Sequence, residues 1–524
     1  MTGIRNILFI MCDQLRTDYL SCYGHPSIQT TNIDALAARG VKFNRCYVQS
    51  PICGPSRMST YTGRYVISHG STWNGVPLRV GEWTMGDFLR PFGLRVALVG
   101  KTHMRADVEG MERLGIDPKS IIGVRTAECG FEPYERDDGL HPDAILDGRL
   151  KYNAYLRSKG YDGNNPWHEW ANSARSDEGN ALSGFYMRNA GKAASVAEED
   201  SETPYITRRA IDFISEAGEQ PWCLHLSYIK PHWPYIAPAP YNDMFDKSDI
   251  LPVRRHAREL DDPHPLYQSF MREKVSIEFS RDEVRETVIP AYMGLIKQID
   301  DQLGILFQFL EQSGRLQDTL IVFTSDHGDY LGDHWLGEKE LFHDASVRVP
   351  LIIVDPTTAA DGTRGTACDR LVEAIDLLPT FIEALGEKVP SHKLEGLSLL
   401  ALLRGVTPAA WREFVVSEYD YSLRLARADH QVPVEDARMV MIADDRWTYV
   451  YGKHFPPMLY DRLSDPDEFI DIGRDSRYPD ICEGMQARLL DWANRARQRT
   501  TISKEALLAR TGREAKAGIL IGYW

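Results

Sequence analysis

No run of apolar residues in this 524-residue chain approaches the roughly 20 needed to cross a bilayer. Paired cysteine spacing is missing as well. The eight cysteines (12, 22, 46, 53, 129, 223, 368 and 482) form no CxxC pattern, which excludes a disulfide scaffold or a cysteine-built zinc module. Nor is there an excess of positive charge: 60 lysines and arginines face 75 aspartates and glutamates, a net charge of -15. Nucleic acid and anionic membrane surfaces are thereby excluded as main partners, and any anion site must be a local basic island. The first residues do not read as a secretory leader, because Ile4 to Cys12 is short and Asp13, Arg16 and Asp18 follow at once. The expectation is a cytoplasmic, reduced protein. Internal repeats and low-complexity tracts are lacking too.

What is present describes an ordinary globular chain, 43% hydrophobic and 26% charged, long enough for one large domain and a smaller one. Asn6 to Cys12, Val41 to Val48, Leu94 to Val99, Trp222 to Tyr228, Thr319 to Thr324 and Ser346 to Ile353 read as core strands. Between them Thr31 to Arg39, Tyr205 to Ala217, Thr287 to Gln312 and Leu377 to Leu385 read as helices. From about Arg105 to Asp200 periodicity fades into a Gly-, Asp- and Asn-rich stretch expected to shape a pocket entrance. After about Pro390 the texture changes to short strands, with a helix expected near Gln486 to Gln498.

The chain is organised around Cys53-Gly54-Pro55-Ser56-Arg57. Pro55 suits a first helical turn, where a missing N–H costs nothing. The free N–H groups of a helix start stabilise negative charge beside Cys53, and Arg57 adds a fork of donors matched to a tetrahedral oxyanion. A low-pKa thiolate nucleophile fits this pattern. So does another chemistry. Cys-x-Pro-x-Arg resembles the signal at which cysteine is oxidised to formylglycine in type I sulfatases of the alkaline phosphatase superfamily.

Other stretches carry the same resemblance. Asp13 and Gln14 end the first strand, and Asp326-His327 ends the strand from Thr319. In an open α/β sheet the carboxyl ends of strands share one edge, so these residues converge there. Gly100-Lys101-Thr102-His103 is similar to the sulfatase site in which a lysine and a histidine flank the formylglycine hydroxyls; phosphonate monoester hydrolases have hydroxyl side chains in those two places. Lys230-Pro231-His232-Trp233-Pro234 is close to the sulfatase Lys-Pro-His-x-Pro signature, with His232 toward a sulfate oxygen and Lys230 a surface charge. Lys339, twelve residues past His327, matches the lysine that grips the ester near its leaving-group oxygen. Asn74 lies where phosphonate hydrolases have a pocket asparagine.

The resemblance implies an alkaline-phosphatase-like α/β sandwich: a large, mostly parallel sheet flanked by helices, plus a smaller C-terminal antiparallel sheet. The expected division is 1–390 catalytic, 391–498 C-terminal subdomain and 499–524 an arm for oligomerisation. The arm ends in the apolar Ile519 to Trp524, which points to a homo-oligomer, a dimer first. One divalent cation is implied, held by Asp13, Gln14, Asp326, His327 and residue 53. Calcium suits the oxygen donors, with manganese and magnesium open. Implied catalytic residues are Cys53, Arg57, Lys101, His103, His232 and Lys339; Asn74, His232 and Lys339 would bind substrate. Formylglycine hydrates to a gem-diol, and the metal and Arg57 lower the pKa of one hydroxyl. That hydroxyl attacks sulfur; Lys339 and His232 help the alcohol leave, and His103 deprotonates the second hydroxyl so that sulfate departs. Partners are then a small sulfate ester and, transiently, the formylglycine-generating enzyme. Three readings remain: an aryl or small alkyl sulfatase, a phosphonate monoester or phosphodiester hydrolase, and a non-catalytic metal-binding protein with Cys53 left as thiol.

Overall fold

The computed structural model of the protein describes residues 3–139, 150–495 and 497–519. Its centre is a nine-stranded sheet. In chain order the strands are β1 (Asn6–Asp13), β2 (Val41–Tyr47), β3 (Arg95–Gly100), β4 (Glu132–Arg136), a small separate hairpin of β5 (Ser173–Arg175) and β6 (Ala181–Ser183), β7 (Trp222–Pro231), β8 (Thr319–Ser325), β9 (Arg348–Val354), β10 (Thr366–Cys368) and β11 (Val372–Glu373). The spatial order is β10-β2-β9-β8-β1-β7-β3-β4, with β11 also paired to β2. Only β9 runs antiparallel to its neighbours, so the sheet is mostly parallel.

β1 sits between β7 and β8, and every one of its residues is buried. Such a strand reads in sequence as an unbroken apolar run rather than an alternation, which is why Asn6 to Cys12 stands out. Helices cover both faces. Helix Asp282–Gln312 lays Tyr292, Ile296, Ile299 and Leu303 on one side, and helix Leu377–Ala384 packs on the other through Leu378 and Phe381. Parallel strands β1, β3, β7 and β8 all end at one edge, and that edge gathers the residues described below.

Beyond the large sheet, β12 (Val415–Asp420), β13 (Arg438–Ala443), β14 (Trp447–Gly452) and β15 (Met458–Asp461) form an antiparallel sheet of four. Its core is continuous with the main one: Tyr419, Met439 and Met441 belong to the same buried cluster as Phe9 and Phe43. The helix expected near Gln486 to Gln498 is instead Pro479–Ala493. Pro479 occupies its first turn, where a proline is tolerated, and that start signal places it earlier. The stretch after Arg105 contains β4 as the sheet's edge, along with short helices Val108–Arg113 and Ile121–Thr126. β4 carries a single buried residue, Glu135, so it left no apolar signature. Among the described residues from 497 to 519 none is buried. Of the six terminal apolar residues only Ile519 is described; the other five lie outside the described residues.

Candidate active site

The candidate nucleophile, Cys53, opens a helix, Cys53–Thr62, whose ten residues are all buried. Ile52 precedes it in an extended conformation. Its polar side chains are satisfied internally: Thr60 and Thr62 bond back to the carbonyls of Ser56 and Met58, and Ser56 donates to the Asp326 carbonyl at 2.6 Å. Gly54 is required by closeness rather than by backbone angle. A Cβ there would stand 2.8 Å from Asn74 Oδ1, which accepts the Gly54 N–H at 2.7 Å. That bond fixes the Asn74 carboxamide, so its NH2 is the end left free for a ligand.

Cys53 is 1% exposed, with polar groups ranged around its sulfur. His327 Nε2 is 3.1 Å away, Lys339 Nζ 3.5 Å and Asp13 Oδ1 3.6 Å, and the side chain of His103 faces the same sulfur. Burial pushes the thiol up, but Lys101, Lys339 and His327 outweigh it and hold Cys53 well below the ordinary thiol range. The site is built to stabilise negative charge at this one position.

Asp13, Cys53, Asp326 and His327 present ligand atoms all within 4.8 Å of one another, and all four are buried. His327 gives its Nδ1–H to the Gly328 carbonyl at 2.9 Å, which turns Nε2 inward, to where it would ligate a cation on losing its proton. The donor set fits a divalent cation. Burial raises Asp326 above the ordinary carboxylate range despite Arg57, whereas Asp13, beside Lys101, His232 and Arg57, is held below that range although it too is buried. Oxygen donors with one imidazole suit a hard or borderline ion.

Arg57 behaves differently from its expected role as an oxyanion fork. Its Nε donates to Asp326 Oδ2 at 2.7 Å, Nη2 to Asp13 Oδ2 at 3.2 Å, and Nη1 to the Lys101 carbonyl at 2.9 Å and Ser227 Oγ at 2.8 Å. With the guanidinium fully buried and its fork engaged, it braces the two carboxylates and the ends of β3 and β7. Lys101 pairs with Asp13 Oδ2 at 2.5 Å. The turn after it is tied by Asp138, whose Oδ1 accepts the N–H groups of Thr102 and His103 at 3.0 and 2.9 Å, while His103 adopts φ 56°. Asp138 carried no signal in sequence.

Gln14 does not simply point at the cation pocket. Its side-chain oxygen accepts from Lys339 Nζ at 2.8 Å, and its NH2 donates to Asp329 Oδ2 at 2.5 Å and to Tyr235 Oη at 3.2 Å. Asp329, fully buried and pushed up to about 6 by burial, also accepts the Tyr235 hydroxyl at 2.7 Å. These two residues set which end of the amide faces Lys339, and only their proximity in space reveals it. Lys339 donates to His232 Nε2 at 3.0 Å, while His232 Nδ1–H bonds the Trp233 carbonyl at 2.7 Å. Burial and then Lys339 push His232 down to about 3, so the imidazole is neutral.

Lys230 is not a surface charge. It is buried, donates to Asn172 Oδ1 at 2.8 Å and the Pro234 carbonyl at 3.0 Å, and burial pushes it down to about 8. It braces the turn that presents His232. Asp333, His334 and His343 stand apart, the two imidazoles stacked 3.7 Å between centroids and Asp333 paired with Arg16.

The sulfatase family model matches residues 5–118 and 153–387, more than half of the chain. The model for the C-terminal part of N-sulphoglucosamine sulphohydrolase matches residues 332–495. The multifunctional alkaline phosphatase superfamily protein PehA of Trinickia caryophylli is 28% identical over 512 residues, which cover 93% of this chain and 95% of that protein. A choline-sulfatase of Rhizobium meliloti is 28% identical over 489 residues, 91% of this chain and 84% of its own length. The solved structure of a phosphonate monoester hydrolase from Silicibacter pomeroyi aligns with a TM-score of 0.82 at 27% identity, covering 96% of this chain and 98% of that one.

Proposed function

The chain belongs to the sulfatase family, and from that premise we propose that it hydrolyses sulfate monoesters, aryl or small alkyl sulfates, with residue 53 as the nucleophile. One observation carries the reading: two lysines and two histidines converge with Asp13 on a buried residue 53 that opens a helix. As formylglycine, hydrated to a gem-diol, residue 53 supplies an attacking oxygen and a second hydroxyl whose deprotonation expels sulfate. A divalent cation held by Asp13, Asp326, His327 and residue 53, with Gln14 alongside, supplies charge that favours the ionised nucleophile; calcium comes first, with manganese and magnesium as alternatives.

The chain's own side chains do the rest. Lys101 holds negative charge at residue 53 while pinned by Asp13. His103, on the partly exposed side of the site, takes the proton of the second hydroxyl. Asn74 offers its NH2 to a non-bridging ester oxygen, and neutral His232 sits beside Lys339, whose ammonium faces the leaving-group oxygen. Arg57 holds Asp13 and Asp326 in place. The formylglycine-generating enzyme is the transient partner in this reading.

A second reading, phosphonate monoester or phosphodiester hydrolysis, is favoured by the Silicibacter pomeroyi likeness. Sulfate monoesters and these phosphorus esters are both monoanionic tetrahedral centres, so the same pocket charge serves both. kcat/KM on aryl sulfate, phosphonate and phosphodiester substrates sharing one leaving group ranks the two; a phosphonate preference overturns the sulfatase assignment. Mass spectrometry of the peptide spanning residue 53 should show formylglycine in active protein, and Cys53→Ala should lose about a thousandfold or more in kcat. Full activity with an unmodified thiol would refute the mechanism.

A further inference from the structure

Lys339 stands in an unusual stretch of backbone. Both neighbours, Glu338 at φ 57° and Glu340 at φ 97°, occupy the left-handed region that side chains with a Cβ rarely adopt. Such conformations persist only where the surroundings over-determine them. At Glu340 the surroundings are visible, and they come from the small antiparallel sheet.

Arg424 lies in the connection between β12 and β13. Its Nε donates to Glu340 Oε2 at 2.6 Å and its Nη2 meets Glu340 Oε1, a two-pronged grip on a carboxylate that is itself buried. Tyr419, at the end of β12, donates its hydroxyl to Glu340 Oε2 at 3.1 Å. The same guanidinium lies 5.7 Å from the centroid of Trp73, which packs on Tyr419 at 5.7 Å and precedes the pocket residue Asn74. Glu273 adds a more distant carboxylate, 3.8 Å from Nη2. One side chain of the small sheet therefore touches both segments that reach into the pocket, the Lys339 loop and the Asn74 loop.

We propose that Arg424, acting through Glu340, is a positioning residue for Lys339, so that the β12–β13 connection controls how well the enzyme handles poor leaving groups. The proposal rests on the reading that Lys339 acts at the leaving-group oxygen. A bidentate arginine–carboxylate pair fixes two directions at once, which a single lysine contact does not. Without it the backbone at Glu340 is free to leave the left-handed region. Lys339 then loses its alignment with Gln14, His232 and residue 53.

The test compares turnover across a series of aryl esters of increasing phenol pKa for wild type, Arg424→Met, Arg424→Lys, Glu340→Gln, Lys339→Ala and the double variant Arg424→Met/Lys339→Ala. Misplacement near the chemistry costs up to about a hundredfold. Arg424→Met should therefore lower kcat by about ten- to a hundredfold on the poorest leaving group and less than about threefold on the best. Arg424→Lys and Glu340→Gln should fall between. In the Lys339→Ala background the Arg424 change should cost less than about twofold, because the residue it positions is gone. A loss equal across leaving groups, or one that multiplies with Lys339→Ala, overturns the proposal. If Lys339→Ala steepens the leaving-group dependence and Arg424→Met does not, only the Arg424 proposal falls. If Lys339→Ala itself leaves the dependence unchanged, the role given to Lys339 falls with it.

Discussion

Asp13 and Asp326 show how much one carboxylate does here. Asp13 faces Arg57, Lys101 and His327 as well as residue 53, and Asp326 takes the backbone N–H of Gln14 and the Nε of Arg57. Neutral amides bind hard cations poorly, and they also leave buried cations without a partner. Asp13→Asn and Asp326→Asn should each weaken divalent-metal binding by at least about tenfold to a hundredfold and remove most activity. Metal content after dialysis, measured with turnover, checks this. Near-normal stoichiometry and activity in either variant would remove that residue from the cation site.

The helix that Cys53 opens is also held from behind, by two imidazoles that the chain keeps neutral. His69 Nε2 meets Ser59 Oγ at 2.9 Å, and His225 on β7 accepts from Tyr61 Oη at 2.8 Å while its Nδ1–H bonds the Phe9 carbonyl at 3.2 Å. Burial pushes both histidines down to about 3; Arg64 adds to this for His69 and Arg57 for His225. In the unfolded chain they titrate near 6.5, so between those values the unfolded state binds more protons. Their contribution is fully present above about pH 6.5 and is lost as pH falls toward 3. Going from pH 7 to pH 5, each should withdraw about 2 kcal/mol. Urea unfolding at the two pH values should show a smaller loss for His225→Gln than for wild type. An identical loss would mean that His225 is charged in the fold or irrelevant to its acid sensitivity.

At the scale of the molecule, the acidic surface and the basic site are kept apart by depth. Lys101, Lys339 and Arg57 are buried around residue 53, while the net charge of -15 makes the protein as a whole repel anions. A local site of this kind acts at short range through its buried charges rather than by steering from a distance. The segment from 497 to 519 lies on the surface, and Leu508 and Ile519 are more than half exposed. Burying large apolar side chains is worth roughly 1.5–3 kcal/mol each, which favours cover of some kind, and the expected arm-mediated dimer would supply it from a second copy of the chain. Sedimentation of the full chain should give a dimer and a chain ending at Gln498 a monomer. An unchanged mass after truncation would show that this segment does not hold subunits together.

Most of the sheet was readable because strands buried on both faces are continuous apolar runs, as in Ile7 to Cys12 and Leu320 to Phe323. The candidate nucleophile and cation ligands were readable because their residue types sit at strand ends or in a Pro/Gly turn, local patterns of a few residues. The sequence by itself determined which groups stand at the carboxyl edge of the sheet. What it did not determine was who pairs with whom. Arg57 grips Asp326 across 269 positions, Lys339 meets Gln14 across 325, and Arg424 reaches Glu340 across 84. Lys230 turned out buried, Asp329 and Asp138 proved to orient their neighbours, and β4 closed one edge with hardly an apolar residue. A hydrogen bond depends on placement to a few tenths of an ångström. That placement follows from the register of strands packed far apart in sequence, so only the tertiary structure decides it.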